Sequence, residues 1–194
     1  VRDSNIDLVY IATPHSRHFE DCMLCLENNK NVLCEKAFTA NAVQAGKVLS
    51  FAKEKKLFIC EAIWTRFMPM RFVLNEIIES GVIGKISSLT ANLGYELSEK
   101  ERVQKPELAG GALLDLGIYP INFALMAFGN DIADISSTCV KNIYGVDITN
   151  SIVITFSDGK LAVLHSNAAA ETDKLGVIYG TKGRIEFCNI NNCE

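Results

Sequence analysis

Lys36, Asp115 and Tyr119 form a set of side chains that can handle a substrate proton. A phenol can take the proton of a hydroxyl group, a nearby ammonium favours the phenolate and lowers its pKa toward working pH, and a carboxylate can orient either the substrate or the lysine. Asp115 and Tyr119 stand four residues apart in a segment predicted to be helical, so both fall on one face. Gly110-Gly111 precedes that helix and would let the backbone come close to a bound molecule. The plain alternatives are a half-buried tyrosine before Pro120 and a carboxylate paired locally in its helix.

Three more polar clusters come after three apolar runs: Thr13-Pro14-His15, Glu35-Lys36, and Glu61 with Trp64 and Arg66. Each has an ordinary reading, as a helix start, a solvated pair, or packing and a salt bridge between two parts of the chain. In an open parallel sheet, however, ligands bind beyond the carboxyl ends of the strands, where these clusters would converge on one cleft. His165 lies in an alternating strand and reads as structural.

Periodicity places the elements that must position these residues. Strands are predicted at Leu8–Thr13, Val32–Cys34 and Leu57–Glu61, alternating with helices over about Ser16–Asn28 and Asn41–Lys55. That is half of a doubly wound sheet. The rhythm then changes: a helix over Met70–Ser80, a strand over Ile86–Tyr95, a polar surface loop over Glu96–Glu107, and a helix over Ala112–Phe128. Later strands are predicted at Ala133–Val140, Thr149–Phe156, Lys160–Asn167, Lys174–Tyr179 and Arg184–Phe187, with Ser157-Asp158-Gly159 as a tight hairpin turn. The expected fold class is α/β: the C-terminal part of a Rossmann doubly wound parallel sheet over 1–63, then an α+β domain with a largely antiparallel open sheet over 64–194.

Four of these stretches resemble the glucose-fructose oxidoreductase, inositol dehydrogenase and related (Gfo/Idh/MocA) family of nicotinamide-dependent oxidoreductases. They are Asp7–Pro14 with His18, Val32–Lys36, Glu61–Phe67 and Gly110–Pro120. The last two look most like the branch of trans-1,2-dihydrobenzene-1,2-diol and D-xylose dehydrogenases, with Tyr119 where many relatives have His. The resemblance implies NAD or NADP as cofactor, held by Ala12, Thr13, Pro14, His18, Glu35, Lys36, Trp64 and Arg66. It implies catalysis by Lys36, Asp115 and Tyr119 on a sugar, polyol or dihydrodiol, and a homo-oligomer, a dimer or larger, built on the open sheet. The same fold also serves regulators that bind a nicotinamide or a sugar without turnover. Two departures stand out: the Gly-rich dinucleotide loop of the family is not in this sequence, and the usual Glu-Lys-Pro reads Glu35-Lys36-Ala37.

Composition narrows the field. Nineteen Lys+Arg against 23 Asp+Glu leave a net charge of −4, little with which to neutralise phosphates, so nucleic acid is not expected as a partner. Hydrophobic residues at 48% and charged ones at 22% describe a chain that folds. No apolar run approaches the roughly 18 residues of a membrane span. Seven cysteines scattered among apolar neighbours read as free thiols of a reducing compartment, the cytoplasm, and Cys22-Met-Leu-Cys25 reads as helix packing, with no metal site. The first residue is Val1 and a strand begins almost at once, so the chain is expected to be an internal segment of a longer protein, with any targeting signal beyond reading.

Overall fold

The computed structural model describes residues 1–192. Its first part is a parallel sheet of three strands, β1 (Leu8–Ile11), β2 (Asn31–Cys34) and β3 (Ile59–Glu61), in the order β1-β2-β3. Ile11 is in register with Cys34, and Cys34 with Glu61. All three strands therefore end at one level, and the three loops that leave them emerge along one edge.

Helices α1 (His15–Glu27) and α2 (Ala42–Lys55) make the crossovers. Asn41 caps α2 by accepting the Gln44 N–H at 3.0 Å, and Lys56 closes it in the left-handed conformation, at φ 57°. The core beneath them contains Ile11, Cys22, Cys25, Leu26, Val32, Cys34, Val48 and Ala52. Both cysteines of the Cys22/Cys25 pair thus serve as small apolar side chains. A hydrogen bond with Cys22 that holds the Cys34 proton, together with burial, pushes this thiol far up, away from the reactive thiolate. Cys193 lies outside the described residues.

The second part is a six-stranded sheet in the order β5-β6-β7-β4-β8-β9. Its strands are β4 (Ile86–Gly94), β5 (Ile132–Lys141), β6 (Asp147–Phe156), β7 (Leu161–Asn167), β8 (Gly176–Gly180) and β9 (Gly183–Phe187). Only β4 and β7 pair in parallel; every other pairing is antiparallel. The turn at residues 157–160 is the expected hairpin, with Gly159 N–H on Phe156 O at 2.9 Å. Helix α5 (Ile118–Phe128) packs on β4 and β7 and helix α3 (Met70–Glu79) packs on α5, around a core that includes Leu74, Leu89, Leu93, Leu116, Phe123, Ile154, Leu164 and Ile178. β5, an edge strand, is exposed along its whole length.

Three local features differ from expectation. Residues 96–107 are not simply surface loop: a short helix α4 (Glu101–Gln104) and a turn over Pro106–Leu108 lie there, and Val103 is fully buried. An apolar residue in a charged run was enough to pin the segment down. The helix expected at 112–128 opens with a wide π-helical turn over Leu113–Gly117 before α5 begins. By length and composition, the run Pro106–Phe128 is also enough to cross a membrane, which residue-by-residue reading understated. In this fold it is the core helix, and most of it is buried.

Candidate active site

At the common edge of β1, β2 and β3 lies a cleft lined by Ala12, Thr13, Pro14, His15, Glu35, Lys36, Arg102, Leu108 and Asp115. Five of these residues come straight after β1 and β2, and three come from the segment 102–115, folded back over the sheet edge.

Lys36 is the centre of this arrangement. Its ammonium donates to the main-chain oxygen of Asp115 at 2.7 Å and lies 3.4 Å from Asp115 Oδ1. It also sits 5.1 Å above the ring centroid of Tyr119, a cation–π contact. Asp115 is 3% exposed, and its Oδ1 accepts from Arg102 Nη1 as well. Burial works to raise the Asp115 carboxyl, but the charges of Lys36 and Arg102 outweigh it and hold the group below its ordinary value. The π-helical turn matters here: it widens the helix so that the Asp115 carbonyl, Asp115 carboxylate and Tyr119 ring all meet the one ammonium.

Tyr119 departs from expectation in its titration. The phenol is raised, chiefly by burial, while a hydrogen bond from Trp64 lowers it and the carboxylates of Glu35 and Asp115 raise it further. The lysine does not lower the phenol toward working pH, because its ammonium faces the ring rather than the hydroxyl and spends its donors on Asp115. Tyr119 is therefore a neutral phenol here. Trp64 Nε1 donates to its oxygen at 3.3 Å, which leaves the phenolic proton to be given elsewhere.

The remaining residues divide. Glu35 accepts from the Tyr10 hydroxyl and from the Lys36 N–H, at 3.2 Å for the latter. Thr13 donates its hydroxyl to Asp21 at 2.8 Å, tying the loop after β1 to α1. His18 is fully buried, with Nε2 2.8 Å from Thr13 O and Nδ1 2.8 Å from Ala37 O. Both ring nitrogens are taken, so His18 joins the two loops and has none left for a cofactor. His15 is the histidine in the cleft; it lies 3.1 Å from Ala109 O, and burial pushes it below its ordinary value. Arg66 forms neither the expected salt bridge nor a contact with the cleft: its Nε donates to Asn122 Oδ1 on α5 at 2.5 Å. Glu61 accepts the Phe38 N–H at 2.8 Å and is raised by burial, against that bond and the charge of Arg66. Trp64, 43% exposed, borders an apolar hollow with Leu8, Leu33, Phe58 and Phe67. The Lys36–Ala37 peptide is cis.

Sequence reading missed Arg102 and Leu108. Nothing in a run of alternating charges marks one arginine as the one that folds back, and the only signal was Val103 beside it. No group of three or more His, Cys, Asp or Glu placed to hold a metal occurs among the described residues.

Residues 1–62 match an oxidoreductase family with an NAD-binding Rossmann fold, and residues 73–186 match the GFO/IDH/MocA C-terminal domain. A D-xylose 1-dehydrogenase (NADP(+)) of Hypocrea jecorina is 36% identical over 96% of this chain and 54% of its own length. A trans-1,2-dihydrobenzene-1,2-diol dehydrogenase of Xenopus tropicalis is 33% identical over 96% of the chain and 57% of its own. Among solved structures, a 3-ketoreductase from Actinomadura kijaniata, in complex with NADP and TDP-benzene, superposes with a TM-score of 0.89 at 26% identity, over 95% of this chain and 57% of that one. An aldose-aldose oxidoreductase from Caulobacter crescentus, with glycerol bound, reaches 0.90 at 20% identity over 98% and 58%, which speaks for the fold alone. The chain spans a little over half the length of each.

Proposed function

Because the chain belongs to the Gfo/Idh/MocA family of oxidoreductases, we propose that the full-length protein is an NAD(P)-dependent oxidoreductase interconverting a hydroxyl carbon and a carbonyl on a sugar, polyol or trans-dihydrodiol. The observation that carries this reading is the Lys36–Asp115–Tyr119 cluster at the carboxyl edge of the parallel sheet. The cleft fits the nicotinamide end of such a cofactor: it is concave, has about 240 Å³ of room, and is walled by the loops after β1 and β2. Ala12, Thr13, Pro14, Glu35 and Lys36 would hold that end, and the bound cofactor would supply the two-electron exchange.

The chain's own residues do the rest. The Lys36 side chain is 16% exposed and held by two oxygens of Asp115, which keeps its charge at the cleft. Tyr119, neutral and relieved of donating to Trp64, can give its proton to an oxygen that gains negative charge, and the Trp64 N–H, which already donates to the phenolic oxygen, then supports the phenolate. As it stands the site suits proton donation, the direction of carbonyl reduction; alcohol oxidation runs the same steps backward. The exposed Trp64 indole offers a flat apolar wall for a ring-shaped substrate.

The open face of the six-stranded sheet, with Thr90, Val163 and Tyr179 on it, would carry a second copy of the chain. The buried free thiols Cys22, Cys25 and Cys34 favour a reducing compartment such as the cytoplasm.

The deciding experiment is a turnover assay on the full-length protein with NAD(H) and NADP(H) across aldoses, inositols and trans-dihydrodiols and their carbonyl forms. Turnover that vanishes in Tyr119→Phe and Lys36→Ala supports the enzyme. Cofactor binding without turnover on any of them would overturn it in favour of a regulator.

A further inference from the structure

We propose that Arg102 is a positioning residue for Lys36: by binding Asp115 Oδ1 from the solvent side, it fixes the carboxylate that keeps the ammonium over the ring of Tyr119. The inference rests on the function proposed above for that cluster. Its starting point is that one oxygen serves two cations. Asp115 Oδ1 accepts from Arg102 Nη1 and lies 3.4 Å from Lys36 Nζ, while the other anchor of Lys36 is the main-chain oxygen of the same residue, at 2.7 Å. With Arg102 gone, the carboxylate is free to turn about its side-chain bonds toward Lys36, and the ammonium is free to move with it off the ring.

A purely structural role for Arg102 explains less. Its side chain is 52% exposed against 5% for Asp115, so the guanidinium stays largely in water while it reaches the buried carboxylate. Its segment does not depend on the guanidinium. Val103 is fully buried, Gly111 N–H donates to Val103 O at 2.8 Å, and Gly110 N–H donates to Lys105 O at 3.1 Å. The backbone of α4 is thus fastened by other bonds, while the arginine reaches into the cleft. The charged or titratable groups that line that cleft are His15 from α1, Glu35 and Lys36 after β2, Asp115 and Arg102 itself. Arg102 is the one carried by an outer segment rather than by the sheet edge or the core helix.

The test uses the full-length protein with Arg102→Gln and Arg102→Lys. In the nucleotide-free protein, Lys36 Nζ lies over the Tyr119 ring, so the adjoining ε-methylene protons should carry an upfield ring-current shift. We expect that shift to be lost in Arg102→Gln and kept in Arg102→Lys, which retains the charge. In turnover, Arg102→Gln should lower kcat about tenfold or more, with KM changed less than about threefold, and Arg102→Lys should recover most of the loss. A Gln variant that keeps both the ring-current shift and kcat overturns the proposal, as does a Lys variant as impaired as Gln. If the unmodified protein turns over no substrate, the proposed function fails, and the ring-current shift still decides the role of Arg102.

Discussion

The indole N–H of Trp64 donates to the phenolic oxygen of Tyr119 at 3.3 Å, joining the loop after β3 to the core helix. Because the indole has a donor only, the phenol must be the acceptor in this bond, and its own proton is left for another partner. Tyr119→Phe removes that proton and should lower turnover of the full-length protein by roughly two to four orders of magnitude. Cofactor affinity should stay nearly intact. Unchanged turnover would remove Tyr119 from the chemistry.

The same bond has a sign that can be read in a pH profile. Trp64 lowers a phenol that burial raises, so Trp64→Phe should raise the phenol further. In the direction that needs the protonated phenol, the alkaline limb of kcat then moves to higher pH. A limb that stays put or moves down would show that the titration of Tyr119 does not limit the rate.

Asp115 makes a prediction about stability. Its folded pKa lies below the unfolded one, so its contribution is present above the unfolded value and is lost as pH falls through the folded value. Wild-type stability should therefore drop on acidification below about pH 4, and Asp115→Asn should show a shallower drop. Near neutrality the same variant leaves the mostly buried Lys36 without its carboxylate, at a cost of about 3 kcal/mol. Denaturant titrations at several pH values would measure both effects. Parallel acid limbs in the two proteins would contradict the assignment.

His18 holds the two loops that frame the cleft, and its removal should be felt there. His18→Ala leaves the Thr13 and Ala37 carbonyl oxygens without their ring partner and opens a cavity, at a cost of about 2–4 kcal/mol. Cofactor affinity should fall with it, since the loops that carry Thr13 and Lys36 lose their common strut. Thermal unfolding reads the first effect and cofactor titration the second. A variant as stable as wild type would mean that the loops are held by other contacts.

How much of the fold and the site was legible in the sequence depended on the range of the interaction. The strands of both sheets and helices α1–α3 come from local periodicity, and the common edge of β1–β3 came from the rule for open parallel sheets. Lys36 falls under the same rule, whereas Asp115 and Tyr119 were named from the family resemblance and from their four-residue spacing on one helix. What residue types do not encode is the orientation of a charge: whether Lys36 faces the ring or the hydroxyl of Tyr119 is decided by the π-helical turn, which no spacing rule announces. His18 was expected at the cofactor because the family resemblance implied it, whereas here it is buried with both ring nitrogens on loop carbonyls. Arg66 likewise found Asn122, a partner 56 positions away.

Gly110 couples the backbone of α4 to the charges in the cleft. A Cβ there would lie 2.6 Å from Val103 O and 2.8 Å from Lys105 O, and both atoms are backbone that cannot step aside cheaply. Gly110→Ala must push α4 outward, and Arg102 moves with it, away from Asp115. We expect a loss of about 1–3 kcal/mol in stability. We also expect a fall in kcat like that of Arg102→Gln, although position 110 carries no chemistry of its own. The discriminating comparison is the double variant Gly110→Ala with Arg102→Gln. If displacement of Arg102 is how Gly110→Ala lowers kcat, the double variant loses no more kcat than the worse single one. Additive losses would show that the glycine acts by another route, through the backbone beside Asp115.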